Sequence, residues 1–266
     1  MESLVRSEQR FGGTPLGPLV LAQMQYLRLQ LMRWGLLDLP DDALRFLTTQ
    51  SGDVAELEQL EHYLRSYPDN RALRFYWLFE LFRARRYAEA LTALSEFDTA
   101  PDLIEPLGLH LQVIRQACRL AMFPQMEVPH CDAMIAGAQG EGEQIKQLLA
   151  FAGTLLDLGD NAALPQAEAW CQRAHSIFPY EATVHLQMAA VLITQGRSQE
   201  AEPWLRCFEG VARSGETAKN GRRWRAIAAC HDRRPNARQL VERCLKERPT
   251  SSERQRLEQA VANMAA

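Results

Sequence analysis

Two stretches of this chain gather the residue types that grip other molecules. The first, Leu73-Arg-Phe-Tyr-Trp-Leu-Phe-Glu-Leu-Phe82, closes on Arg83 and carries Phe75, Phe79 and Phe82 among other large apolar residues. A helix apolar nearly all round implies burial on more than one side. Its aromatic residues could equally anchor a helix or extended segment of a partner protein. The plainer alternative is that an N-terminal helix folds over this face, and between the two stands a cover that a partner displaces. The second stretch is Lys219-Asn-Gly-Arg-Arg-Trp-Arg225. Lys219 and Arg223 lie four apart, so on a helix they share one face. Two cations so placed could hold a carboxylate through charge-assisted hydrogen bonds, with Arg222 beside them. The competing reading is a solvated arginine-rich face. Trp224 among Arg222, Arg223, Arg225, Arg233 and Arg234 also offers nucleic acid a stacking surface and phosphate contacts, although no established nucleic-acid motif accompanies it.

Other chemistry finds less footing. A metal site needs three or four convergent ligands. Cys171 and His175 lie at i and i+4, with no third ligand evident nearby. His130-Cys131-Asp132 and Cys230-His231-Asp232 place ligand types side by side, and adjacent side chains rarely point to one ion. The sequence contains no Gly-x-Ser-x-Gly elbow, no His-Glu-x-x-His pair and no Walker loop. Gly137-Ala-Gln-Gly-Glu-Gly142 precedes a segment with Lys146, but Glu141 and Glu143 would repel a phosphate, so a hairpin turn is the better account. A cysteine nucleophile with distant partners stays open, yet nothing singles one out. The expectation is therefore no enzyme, no cofactor and no metal.

The charge is divided unevenly. Met1 to Leu205 holds 16 Lys and Arg against 26 Asp and Glu, whereas Arg206 onward holds 14 against 7. A basic end could meet an acidic partner, but 27 of the 30 cations are Arg, a skew that genome composition also produces. The six cysteines, Cys118, Cys131, Cys171, Cys207, Cys230 and Cys244, follow no pairing pattern. They read as reduced thiols of a cytoplasmic protein. The start Met-Glu-Ser lacks a basic, apolar leader. The apolar run from Leu19 to Leu37 contains Arg28 and Arg33, so no membrane span is expected.

These residues must be positioned by helices, because helical periodicity dominates and strand-like alternation is nearly absent. Apolar segments are split by short turns such as Ser51-Gly-Asp53, Gly159-Asp160 and Gly196-Arg197. A fixed period underlies them. In the clearest unit, Arg71 to Phe97, one helix carries Leu78 and Leu81. A turn falls at Arg85-Arg86-Tyr87, and a second helix carries Ala90, Leu94 and Phe97. Pro101 follows Pro68 by 33 residues. Another unit places Ala152 and Leu155 before Gly159, then Ala167, Cys171, Ala174 and Pro179, with about three extra residues in its turn. The next has Ala189 and Leu192, Gly196, then Ala201 and Leu205. A last one has Ala237, Val241, Cys244, Leu245 and Pro249. Ala167 to Ala201 spans 34 residues and Ala201 to Ala237 spans 36. A large side chain where two helices cross would push them apart, and Pro stops the second helix because it lacks an N–H.

This arrangement resembles the tetratricopeptide repeat, over about four units. Two more, roughly Leu37–Pro68 and Asp102–Glu143, are degenerate. The resemblance implies an all-α fold, an α-solenoid of stacked antiparallel helix pairs. Residues 1–36 form an N-terminal extension with an amphipathic helix from Pro18 to Trp34. Residues 37–249 form the array, and residues 250–266 a capping helix opened by the capping box Thr250-Ser-Ser-Glu253. An irregular all-α domain is the competing architecture. In the repeat register Phe75, Phe79 and Phe82 face the concave groove, while Trp77, Leu78 and Leu81 pack between helices. Lys219 and Arg223 match the basic pair of family members that clamp a C-terminal carboxylate. The clamp's other places hold Leu149, Gly153 and Gln187, so an acidic peptide is the more fitting ligand than a chaperone tail. The resemblance thus implies a protein-binding scaffold or chaperone-like adaptor, of the kind bacterial helper proteins use. The candidate contacts are Phe75, Phe79, Phe82, Arg83, Gln187, Lys219, Arg222 and Arg223. A nucleic-acid-binding repeat protein that uses the basic C-terminal third is the alternative.

Overall fold

The computed structural model describes residues 39–40, 54–97, 105–211, 215–247, 249 and 251–265. Among them there are twelve helices and no strands. The expected Pro18–Trp34 helix, the Ser51–Asp53 turn, Pro101 and Thr250 fall outside the described residues.

The chain divides into two compact units, Met1–Ala84 and Arg85–Ala266. The division falls inside the stretch Arg71–Phe97 that the sequence marks as its clearest helix pair. In the first unit, α1 (Val54–Ser66) packs on α2 (Arg71–Arg83). Leu39, Leu60, Tyr63 and Leu73 form the core there, with Tyr76 and Trp77 against it. The start of α2 is fixed by Asn70, whose side chain accepts from the Leu73 amide at 3.0 Å. That bond satisfies one of the four amides a helix start leaves open.

The second unit runs α3 (Tyr87–Phe97), α4 (Glu105–Met122), α5 (Pro124–Ala136), α6 (Glu141–Leu158), α7 (Leu164–Ile177), α8 (Ala182–Thr194), α9 (Ser198–Val211), α10 (Gly215–His231), α11 (Ala237–Lys246) and α12 (Ser251–Ala265). Every helix packs on the next. In addition, α4 packs on α6, α6 on α8, α8 on α10 and α10 on α12. Short connections that return the chain beside the preceding helix make the sequential contacts. Three of these turns use a left-handed residue: Gly159 (φ 66°) between α6 and α7, Gly196 (φ 80°) between α8 and α9, and Arg233 (φ 51°) between α10 and α11. Glycine takes this conformation at no steric cost and closes a helix efficiently, whereas Arg233 does so against its Cβ.

Side-chain size fits the packing. Ala90, Ala167, Ala201 and Ala237, one each near the start of α3, α7, α9 and α11, are fully buried. Helix α7 buries one stripe, Leu164, Ala167, Trp170, Cys171 and Ala174. Helix α8 is different: it meets α6, α7, α9 and α10, and it buries Val184, His185 and the whole run Met188–Ile193. That is why its sequence is apolar all round where α7's is amphipathic. Two close approaches set the spacing further. A Cβ on Gly153 of α6 would lie 2.7 Å from Nε2 of Gln187 on α8, and one on Gly221 of α10 would lie 2.6 Å from the Phe208 ring of α9. Among the described residues no helix is long and apolar enough to cross a membrane.

Candidate functional site

The aromatic candidates sit on α2. Ala72, Leu73, Leu78 and Leu81 are buried, and they fix the inward face of the helix. Phe79 has 40% of its surface exposed, and Phe75 and Phe82 are half-buried. The Phe75 ring stands nearly perpendicular to that of Tyr76, with centroids 6.4 Å apart. Trp77 is half-buried, and its indole Nε1 is shielded from solvent without a hydrogen-bond partner. The Arg83 side chain is outside the described residues.

The other candidates lie on α8 and α10, which pack together in the second unit. Gln187 donates through Nε2 to the Leu149 carbonyl of α6 at 2.8 Å. Its amide is therefore committed to holding α8 on α6, and the glycine at position 153 is what lets it approach. Lys219 is half-buried on α10. The consecutive arginines Arg222 and Arg223 point to different helices. Arg222 is exposed and pairs with Glu247, just past α11, at 3.0 Å. The Arg223 side chain is only 6% exposed and pairs with Glu253 of α12 at 2.6 Å. Its Nη1 also donates to Oδ1 of Asn220 at 2.8 Å.

Around Arg223 lies a cleft of about 200 Å³ lined by Leu186 of α8, Asn220, Trp224 and Ile227 of α10, and Glu253 and Arg256 of α12. Arg256 stacks over the Trp224 ring with its guanidinium carbon 5.7 Å from the centroid. It also pairs with Asp157 at the end of α6, so this ion pair spans from the sixth helix to the last. The cleft thus combines an indole and two aliphatic side chains with a buried cation, a chemistry suited to an amphipathic segment carrying a carboxylate.

Arg225 and Arg234 are also engaged with carboxylates. Arg225 reaches Glu209 at 2.5 Å and Glu202 at 2.8 Å, and Arg234 reaches Asp232 at 2.7 Å. The hydrogen bonds it donates to Glu209 hold the Arg225 guanidinium above its usual range. Burial works against the Glu202 carboxylate, but the bonds from Arg225 and Arg206 outweigh it and carry its pKa below the ordinary value. These pairs border a second cleft, about 390 Å³, with Leu205, Ala228, Leu240 and Cys244 as its apolar floor. A phosphate approaching Arg222, Arg225 or Arg234 there would have to displace a carboxylate already in place.

Nucleophilic and metal chemistry finds little support in the geometry. Burial pushes the thiols of Cys118, Cys131 and Cys171 up to about 12, so they are neutral and weakly nucleophilic near neutrality. Cys171 and His175 gain no third ligand: among the described residues no group of three or more His, Cys, Asp or Glu could hold a metal ion. His175 meets rings instead. Its centroid lies 4.8 Å from Trp204 and 5.5 Å from His185. Burial, and then the neighbouring His175, lower the pKa of His185. This cluster joins α7, α8 and α9, and nothing local in the sequence announces it.

No family model, curated protein or solved structure matches this chain.

Proposed function

We propose that the chain is a protein-binding scaffold: an α-solenoid of TPR-like helix pairs, capped by α12, whose first helices line a concave surface for a segment of a partner protein. One observation carries this reading. The helices α4, α6, α8, α10 and α12 pack each on the next in addition to packing on their sequence neighbours. That is the contact pattern of stacked pairs, in which one helix of each pair forms a continuous row. The small buried residues Ala167, Ala201 and Ala237 and the turn residues Gly159, Gly196 and Arg233 recur through the same pairs and support it. A row of helices presents an extended surface on which a segment of a partner can lie. The chain works by binding, without a cofactor. Its six free thiols, five of them buried, suit a reducing compartment such as the cytoplasm.

The protein partner is preferred over nucleic acid because five arginines of the basic C-terminal third, Arg222, Arg223, Arg225, Arg234 and Arg256, each pair with a carboxylate. Phosphate binding draws its free energy from open cations that release counterions. For a protein segment, the aromatic residues of α2 supply a candidate anchor on the first unit, and the Arg223 cleft is a separate, carboxylate-directed candidate on the second.

Chemical cross-linking in the cell of origin, followed by capture on the tagged chain, tests the reading. Wild type retains a defined protein, and Phe75→Ala with Phe79→Ala loses at least nine-tenths of it at unchanged fold. Equal retention by both chains removes the aromatic face from the site. Retention of nucleic acid instead, with a steep salt dependence abolished by Arg222→Ala and Arg225→Ala, overturns the assignment of the partner.

A further inference from the structure

We propose that the cleft between α9 and α11 is a further contact surface for the partner protein, taking a segment in which a carboxylate and an apolar side chain stand close together: the carboxylate on Arg243, the apolar side chain on Leu205, Ala228, Leu240 and Cys244. The inference rests on the scaffold reading and adds to it a place and a chemistry.

This cleft uses a different face of α10 from the one that carries Arg223. Arg222, Arg225 and Ala228 follow at three-residue steps and share one side of the helix, whereas Asn220, Arg223, Trp224 and Ile227 line the cleft beside α12. Helices α9 and α11 both pack on α10, and the cleft of about 390 Å³ opens between them. Its floor is firm: Leu205 of α9, Ala228 of α10 and Cys244 of α11 are at most 5% exposed. Leu240, one turn before Cys244 on α11, is half-buried and adds an apolar side chain nearer the mouth. The cleft is open to solvent, so a segment enters it without any helix moving, and its size is that of pockets which hold small ligands.

The charges around the floor decide what fits. Four guanidiniums line the cleft, those of Arg222, Arg225, Arg234 and Arg243, against the carboxylates of Glu202 and Glu247. Three of the four are taken. Arg222 donates through Nε and Nη2 to Glu247 at 3.2 and 3.0 Å. Arg225 holds Glu202 and Glu209, and Arg234 holds Asp232. Arg243 is exposed, and among the described residues no carboxylate pairs with it. It shares one face of α11 with Leu240 and Cys244, three residues and one residue away. One open cation beside an apolar floor suits a singly charged carboxylate joined to an apolar group. A phosphate suits it less. It gains nothing from the floor, and the further cations it would draw on are already occupied.

The test uses the full chain and, as probe, a short fluorescein-labelled peptide of alternating glutamate and leucine, blocked at both ends, read by anisotropy and by methyl NMR. Binding to wild type should shift the methyls of Leu205, Ala228 and Leu240 and leave those of Leu186 and Ile227, in the other cleft, in place. Arg243→Ala should weaken binding about fivefold, the upper range for one exposed ion pair. Arg238→Ala removes an exposed cation from the same helix outside the cleft and should leave binding unchanged. A peptide with glutamine in place of glutamate should bind wild type more weakly and be indifferent to Arg243→Ala, because the two changes remove the same contact. No binding to wild type, equal weakening by Arg238→Ala, or shifts at Leu186 and Ile227 instead of the floor each overturns the proposal. So does equal or tighter binding at the same methyls by sodium hexanoate, a free carboxylate with an apolar body, or by oligothymidylate. Failure here is separable from failure of the scaffold reading. A captured partner retained equally by wild type and Arg243→Ala sinks the cleft alone, while peptide binding in the cleft of a chain that captures no protein sinks the function.

Discussion

Replacing Gly221 by alanine puts two opposing effects in competition, and the structure decides the winner. Position 221 lies within α10, where alanine is favoured over glycine by about 1 kcal/mol in helix propensity. The added Cβ, however, would lie 2.6 Å from Cε1 and 2.9 Å from Cδ1 of Phe208, a ring that is 1% exposed on α9. A buried ring cannot swing aside as a flexible surface chain can. Overpacking of this kind costs about 1–3 kcal/mol, and contacts below 3 Å to two ring atoms place it toward the upper end. The net expectation is a loss of about 1–2 kcal/mol in urea unfolding followed by circular dichroism, with the slope unchanged. Gly142→Ala, near the exposed start of α6 with nothing within 4 Å of the new methyl, should instead be neutral or stabilising by up to about 0.5 kcal/mol. The cause is isolated by Phe208→Leu. Combined with Gly221→Ala it should cost less than the sum of the two single changes, because each makes room for the other. Strict additivity, or a stabilised Gly221→Ala, would refute the close α9–α10 approach.

Three further outcomes follow from the same structure. His185 has its pKa lowered by burial and by His175, so below pH 6.5 the unfolded chain binds a proton that the folded chain refuses. Stability should fall as the pH drops through 6.5 toward 5, and His185→Leu should flatten that slope. Of six thiols only Cys207 is exposed, so brief maleimide treatment of the folded chain should add one label by mass, abolished by Cys207→Ser. Trp170 donates to Asp132 at 2.8 Å from a nearly buried ring; Asp132→Ala should cost about 1–3 kcal/mol by orphaning the indole N–H, and an effect below about 0.3 kcal/mol would show that water replaces the carboxylate.

The helical elements were legible because their signals are local. Ala167, Ala201 and Ala237 stand where bulk is forbidden, and Gly159 and Gly196 stand where the backbone turns left-handed. Both requirements write themselves into residue type. The partners of the arginines were not legible, since they depend on which helix faces which. Glu253 reads in sequence as half of a capping box, yet its carboxylate accepts from Arg223 across the α10–α12 interface. Likewise Lys219 and Arg223 share a helix face by spacing, but Arg223 is buried under α12. The arginine-rich segment does not reveal that Glu209 of α9, Glu247 just past α11 and Glu253 of α12 are brought to Arg225, Arg222 and Arg223. Gln187 matches a binding position by register, and the bond from its Nε2 to the Leu149 carbonyl of α6 is not legible from that register.

The central claim is that alternate helices lie side by side, so that α12 reaches back to α6. It is tested most directly by a short bis-maleimide cross-linker on a chain carrying Asp157→Cys, Arg256→Cys and Cys207→Ser. The two new thiols are 99 residues apart in sequence and stand where the native side chains form an ion pair. Rapid intramolecular linkage, seen as a faster-migrating monomer band and a 157–256 linked peptide by mass spectrometry, is the expected result. Two singly capped thiols without linkage, on a chain that keeps its native circular dichroism, would contradict it.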